Sequence, residues 1–378
     1  MIRTHSPLLS LHSSSSSSFL KPPNFPPKPL LCQLPNTLIS SKAPPPRMEA
    51  PVSNRAANRF SSLSASSTRR GNGSVDSTFQ GSESFFRRVL GRMEEVYLNR
   101  NPTAKAILEL VRAVVGGQIC YDHFAFRTFG VNGHGIDSVA KFFLDFGYVR
   151  REELRFPAKK LKAFWFSPPK SLQFESGTCV GGPLPRIFIS ELLVDQMSPE
   201  TQISDPREPK VVKKSLAMPK REKMKPHLRT YAIGLLLFHD SSESEYAAWT
   251  LVNGYALNHV TISTHRLKSN LRSIENFNRF IEENGFKLNS KGGTLKVSPD
   301  GLLLQSSTVA DSAPFQFSDG KTESVPCSYI EFAERLVLPE FKDLPENDVK
   351  EFHRRDGFEV GNADMIFEST SKDQLTRL

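Results

Sequence analysis

Acidic residues are missing from the first 48 positions of this 378-residue chain, and the absence divides the sequence in two. Residues 1 to 75 carry nine Lys and Arg against one acid, Glu49, and so hold eight of the nine net positive charges. The body that follows is nearly neutral. That removes the electrostatic basis for gripping a phosphate backbone and argues against a nucleic-acid partner. Long apolar runs are also lacking: nothing approaches the roughly 18 consecutive apolar residues of a membrane span, which argues against a membrane partner. Cysteine is scarce, and Cys32, Cys120, Cys179 and Cys327 show no paired spacing. They point to neither a disulfide framework nor a thiolate metal site. With 38% hydrophobic residues the chain can still bury a sizeable core.

The acid-free leader has a serine run from Ser13 to Ser18 and a proline cluster from Pro22 to Pro46. Poor in acids and rich in hydroxyls, it reads as an organellar transit peptide, and its serine content with sparse early arginine favours a plastid, chloroplast or amyloplast. A disordered tail would have the same composition. The mature protein is expected to begin between Arg47 and Ser82.

The body states one pattern twice. Asp122-His123-Phe124-Ala125-Phe126-Arg127-Thr128 is followed by a helical stretch from Ile136 to Tyr148, and Asn258-His259-Val260-Thr261-Ile262-Ser263-Thr264 by one from Ile274 to Phe286. The helical stretches align without a gap, pairing Ile136 with Ile274, Phe142 with Phe280 and Gly147 with Gly285. Each is preceded by a strand with alternating apolar residues. In the first half, strands are expected around Tyr148 to Arg155, Leu161 to Phe166 and Arg186 to Leu193. In the second they are expected around Phe286 to Asn289, Leu302 to Thr308 and Ser328 to Arg335. The fold class is therefore α+β, with duplicated βαβββ modules around a central metal cavity. The expected organisation is a leader over 1–75, an N-terminal helical cap over 82–118, a first module over 119–195 and a basic insertion with a connecting helix over 196–252. A second module over 253–338 and a C-terminal segment closing the site over 339–378 complete it. The lysine-rich part of the insertion, Pro206 to Arg229, reads as a solvated loop.

Alternate residues of a strand share a face, which puts His123, Ala125 and Arg127 on one side. His259, Thr261 and Ser263 share another such face, as do Tyr329, Glu331 and Ala333. Two histidines and a carboxylate on three strands are the parts of a facial triad, a donor set that suits Fe(II) and leaves positions open for substrate and oxygen. Each residue also has a plainer reading: a histidine satisfied within a core, or Glu331 paired with Arg335. Duplication favours the triad, because coincidence would have to produce the same histidine twice. Glu191, in Phe188-Ile189-Ser190-Glu191-Leu192, is the runner-up carboxylate, lying near where the first module should match Glu331. Arg127 offers a planar fork to a substrate carboxylate, or an ion pair to a neighbouring acid.

These stretches also carry a resemblance. DHFAFRTFG at 122 to 130, FISELL at 188 to 193, LNHVT at 257 to 261 and LLQSSTVAD at 303 to 311 resemble the 2-oxoadipate dioxygenase/decarboxylases, also called 2-hydroxyglutarate synthases. FSDG at 317 to 320, YIEFAER at 329 to 335 and IFEST at 366 to 370 extend the likeness from about Ser82 to the C-terminus, leaving out the leader. The resemblance implies a vicinal-oxygen-chelate-like fold and a non-haem Fe(2+) held by His123, His259 and Glu331. It also implies that Arg127 grips a carboxylate of a 2-oxo acid and that Gly361 offers a backbone contact to substrate, although the sequence around Gly361 departs from the bacterial pattern. The implied reaction converts 2-oxoadipate and O2 to 2-hydroxyglutarate and CO2, in plastid lysine catabolism. Two other readings of the residues stay open: another metal-dependent oxygenase or glyoxalase-like isomerase, and a non-catalytic plastid binding protein. Oligomeric state is not encoded in any motif here.

Overall fold

The computed structural model describes residues 75–117, 119–130, 134–170, 178–197, 242–268, 270–316 and 320–376. The expected leader, apart from its last residue, and the basic insertion Pro206 to Arg229 lie outside the described residues. Two helices come first, α1 (Val75–Arg100) and α2 (Pro102–Val115). Proline at the first position of α2 suits a turn whose N–H groups have no helical partner, and Gly116 closes the helix at φ 75° in the left-handed region. Its buried residues Ala104, Ile107, Leu108, Val111 and Val115 recur at helical spacing and form the stripe that packs on the sheet.

The first half continues with β1 (Tyr121–Phe129), α3 (Ile136–Asp145), β2 (Val149–Phe156), β3 (Leu161–Ser167) and β4 (Arg186–Leu192). After α4 (Ser242–Asn253), the second half runs β5 (Leu257–Ser263), α5 (Ile274–Glu283), β6 (Lys296–Val297), β7 (Leu303–Ser307), β8 (Ser312–Gln316), β9 (Thr322–Pro326) and β10 (Tyr329–Arg335). Two short C-terminal helices follow, α6 (Val360–Phe367) and α7 (Lys372–Thr376). Eight strands make one mixed sheet in the order β2-β3-β4-β1-β5-β10-β7-β6. Read outward from the central β1–β5 pair, the halves match: an opening strand, a parallel neighbour, then two antiparallel strands. β1 and β5 are antiparallel, so the seam is continuous with the sheet.

The strand expected around Phe286 to Asn289 is reduced to a bridge between Leu288 and Thr308, and the edge is taken by β6. Gly292 and Gly293, both with positive φ, turn the chain before pairing can extend. The hairpin β8–β9 was not expected; Pro314 and a polar, largely exposed sequence hide its alternation.

Alternation along the central strands sorts the core. Phe124 and Phe126 of β1, Ile187 and Ile189 of β4, Val260 and Ile262 of β5, and Ile330 and Phe332 of β10 face one way and are buried with residues of α1, α2, α3 and α5. Phe86 of α1 joins this layer against Phe142, Phe146 and Tyr148. Fully burying side chains of this size contributes about 1.5–3 kcal/mol each. The opposite face carries the polar stripes. In the first half it is closed by Trp165, Phe188 and Leu161 with Tyr246 of α4 and Phe367 of α6.

Candidate metal centre

His123 of β1 and His259 of β5 are neighbours across the seam, where His123 pairs with Thr261 and Ala125 with His259. Glu331 of β10 sits opposite Thr261 on the other side of β5. Three adjacent strands thus bring the two imidazoles and the carboxylate together, all three buried. Glu331 Oε2 lies 3.1 Å from His259 Nε2 and 3.6 Å from His123 Nε2. The two Nε2 atoms are 3.3 Å apart, and Thr261 Oγ1 is 3.0 Å from that of His123.

Each donor is held from behind. Asp122 Oδ1 accepts from His123 Nδ1 at 2.9 Å and Asn258 Oδ1 from His259 Nδ1 at 2.9 Å, which keeps the proton on Nδ1 and turns each Nε2 lone pair inward. Gln305 Nε2 donates to Glu331 Oε1 at 2.6 Å, leaving Oε2 for the centre, and Asn362 Nδ2 donates to Gln305 Oε1 at 3.0 Å. Two lone pairs and a carboxylate oxygen converging in a buried space repel one another unless a cation or a proton lies between them. The donor set therefore fits a divalent metal, with borderline preference for nitrogen and oxygen.

The two histidines differ electrostatically. Burial lowers the His123 pKa, but Glu331 and Asp122 outweigh it and the net shift is upward. His259, backed by a neutral amide, is lowered to about 4 by burial, which Glu331 offsets only in part. Burial raises the Glu331 pKa, and the two histidines pull it down to about 2. Behind His123, Asp122 is fully buried; Arg335 Nε donates to its Oδ2 at 2.6 Å and Arg335 Nη2 to its Oδ1 at 2.9 Å. Arg186 adds a contact at 3.4 Å, and together the two arginines hold the Asp122 pKa well below the carboxylate range against the effect of burial. The sequence does not single out Asp122, Asn258 or Gln305, and Arg335, expected as a partner of Glu331, pairs with Asp122 instead. The signal available was the polar residue preceding each repeated histidine, and Gln305 within the LLQSSTVAD stretch.

The runner-up carboxylate belongs elsewhere. Ala125 pairs with Phe188 as Thr261 pairs with Glu331, so Phe188 occupies the place that matches Glu331. Glu191 matches Glu334 instead. Glu191 Oε2 accepts from the first helical N–H of α3, Ile136, at 2.7 Å, and Glu334 Oε2 does the same for Ile274 of α5 at 2.8 Å. Both satisfy a helix N-terminus on the outer face.

Arg127 lies on the inward face of β1, buried, with Cζ 5.0 Å from the Tyr246 ring, 5.1 Å from Trp249 and 5.7 Å from Phe367. Its Nη1 donates to Thr370 Oγ1 at 3.1 Å and its Nη2 to the Phe367 carbonyl at 3.4 Å. Among the described residues no carboxylate pairs with it. Gly361 stands apart, exposed in the first turn of α6 with its N–H toward Glu359 Oε1 at 3.5 Å. Cys120, Cys179 and Cys327 are free, buried thiols away from the donor set.

A buried two-histidine, one-carboxylate group at the seam of a mixed sheet is a donor set that could hold a metal ion. A family model described as 2-oxoadipate dioxygenase/decarboxylase matches residues 89–216 and 203–347, and the chain belongs to that family. It is 65% identical over 311 residues to a rice protein named 2-oxoadipate dioxygenase/decarboxylase, chloroplastic/amyloplastic, covering 80% of this chain and 83% of the relative. An Arabidopsis thaliana protein named 2-oxoadipate dioxygenase/decarboxylase, chloroplastic, is 59% identical over 328 residues, covering 84% and 85%. Among solved structures, the hydroxyglutarate synthase of Oryza sativa in complex with 2-oxoadipate matches with a TM-score of 0.70 and 61% identity, over 83% of this chain and 100% of that one.

Proposed function

We propose that this chain is a plastid Fe(II)-dependent dioxygenase/decarboxylase that converts 2-oxoadipate and O2 to 2-hydroxyglutarate and CO2, in lysine catabolism. The observation that carries the reading is the buried convergence of His123, His259 and Glu331, each held by its own outer partner. The rice structure with 2-oxoadipate and the plastid names of the relatives support the substrate class and the compartment. We also read the matched halves as duplicated modules of vicinal-oxygen-chelate type.

When bound, Fe(II) would supply the Lewis acidity and the oxygen chemistry. The residues do the rest. His123, His259 and Glu331 would hold the metal from the sheet side and leave its other positions toward the interior. Asp122 and Asn258 keep both imidazoles in the metal-binding tautomer, and Gln305 keeps Glu331 to one inward oxygen. Phe358, with its ring centroid 4.8 Å from that of His123, and Phe188 beside it help keep water from the site. Arg127, without an acid of its own, would take a substrate carboxylate and orient the 2-oxo acid. Gly361 would contribute its N–H only where substrate displaces Glu359 from it. Iron-loaded protein given 2-oxoadipate in air should consume O2 and release CO2 in equal amounts while forming 2-hydroxyglutarate. Turnover without O2 consumption would overturn the oxygenase reading in favour of an isomerase.

A further inference from the structure

On the inward face, two buried polar atoms have no partner at full hydrogen-bond geometry among the described residues: the Tyr329 hydroxyl and Arg127 Nε. Buried donors left unmade are costly and uncommon, so a pair of them together calls for a ligand. They are close to one another. Burial raises the Tyr329 pKa, and Arg127 pulls it back down through its charge and a loose hydrogen-bond contact, although neither the hydroxyl nor Nε meets a partner at full hydrogen-bond geometry.

Their placement relative to the metal donors is defined by the strands. Tyr329 pairs with His259 in register and lies two residues before Glu331 on the same face of β10. Its ring stacks on the His259 imidazole with centroids 4.6 Å apart and planes 25° apart. The phenol therefore begins beside a proposed metal ligand, and its hydroxyl lies within the influence of the Arg127 charge. Arg127 cannot offer its fork end-on, because Thr370 and the Phe367 carbonyl hold Nη1 and Nη2 and three aromatic rings surround Cζ. The bond to Phe367, at 3.4 Å, is the weaker of the two, so the edge formed by Nε and Nη2 is the one a carboxylate can take.

We infer that Tyr329 determines specificity: its hydroxyl donates to the same distal substrate carboxylate that Arg127 takes along its Nε edge, so a 2-oxo dicarboxylic acid is recognised by three donors. The inference rests on the proposed function. A 2-oxo acid of equal length without the second carboxylate would bury the pair unpaired and bind poorly.

The test compares wild type with Tyr329→Phe, which removes the hydroxyl and keeps the ring on His259. Iron-loaded protein is titrated with 2-oxoadipate and with 2-oxohexanoate by calorimetry in the absence of O2, and kcat, KM and iron content are measured separately. The variant should keep its iron and most of its kcat, while Kd and KM for 2-oxoadipate rise about 10- to 100-fold, the loss of one hydrogen bond to a charged group. For 2-oxohexanoate, already weak with wild type, the change should stay within about threefold. Unchanged affinity for 2-oxoadipate would overturn the inference, and so would loss of iron, which would make Tyr329 a support for His259. Equal losses on both acids would move the hydroxyl to the ketone end and overturn it too. Failure of wild type itself to bind or turn over 2-oxoadipate would instead bring down the functional reading beneath it.

Discussion

The two halves of the sheet share a strand order and differ in what they present to the interior. Each opens with a polar residue and a histidine, and each uses a glutamate on its parallel strand to cap the helix beside it, Glu191 in one and Glu334 in the other. At the place facing the centre, the second half supplies Glu331 and the first supplies Phe188. Aromatic and aliphatic residues extend around Phe188, whereas Gln305, Ser307 and Asn289 line the same face of the second half. The second half thus carries the carboxylate of the proposed metal site, and the first an apolar wall around the buried Arg127. The scaffold can be symmetric while the chemistry is not, and a metal held from one side with open positions on the other needs that inequality.

The comparison is broken most severely by removing its ligands. His123→Ala, His259→Ala and Glu331→Ala should each abolish bound iron and turnover with the fold retained, as iron analysis and circular dichroism would register. Glu191→Ala should leave iron content unchanged, since the matching position is Phe188.

Next in size is Arg335→Met, which strips the partner from a buried carboxylate across the seam. Leaving the buried Asp122 with only the longer Arg186 contact and the His123 bond should destabilise the protein by up to about 3–5 kcal/mol, read from denaturant unfolding. The pH dependence follows in sign. Asp122 has its folded pKa depressed, so its stabilisation is present above the ordinary carboxylate pKa and is lost as pH falls below it. The variant, with that depression reduced, should lose less stability than wild type as the pH falls from about 5 to about 2.

Arg127→Lys sharpens the contrast between the two interiors by replacing the first half's planar cation with a point charge. It should lower kcat/KM for 2-oxoadipate about 10- to 100-fold, from a loss of roughly 1.5–3 kcal/mol, without altering iron content.

The smallest effect tests the symmetric part. Glu191→Ala and Glu334→Ala should each cost about 1 kcal/mol in thermal or denaturant unfolding, by nearly equal amounts, because each uncovers one helix N-terminus.

The sequence made the repeated histidines, their shared strand faces and Glu331 readable because alternation and duplication are local patterns. Glu191 was misplaced because counting from the end of a strand cannot fix register, and a shift of three residues separates the outer-facing Glu191 from the inward Phe188. Asp122 and Arg335 were not paired in advance, since their contact spans 213 residues and is created only when β10 joins β5 and β5 joins β1. The stacking of Tyr329 on His259 is hidden for the same reason, although alternation puts Tyr329 on the Glu331 face.

With a metal held as proposed, by His123 from one half and His259 and Glu331 from the other, metal occupancy and the union of the halves become one equilibrium viewed from two sides. A metal that binds only the joined form adds about 2.7 kcal/mol of stability at a free concentration 100 times its Kd. Chelation would then lower the melting temperature of the whole sheet, and cleaving the chain between β4 and α4 would leave two pieces whose hold on each other rises and falls with metal concentration.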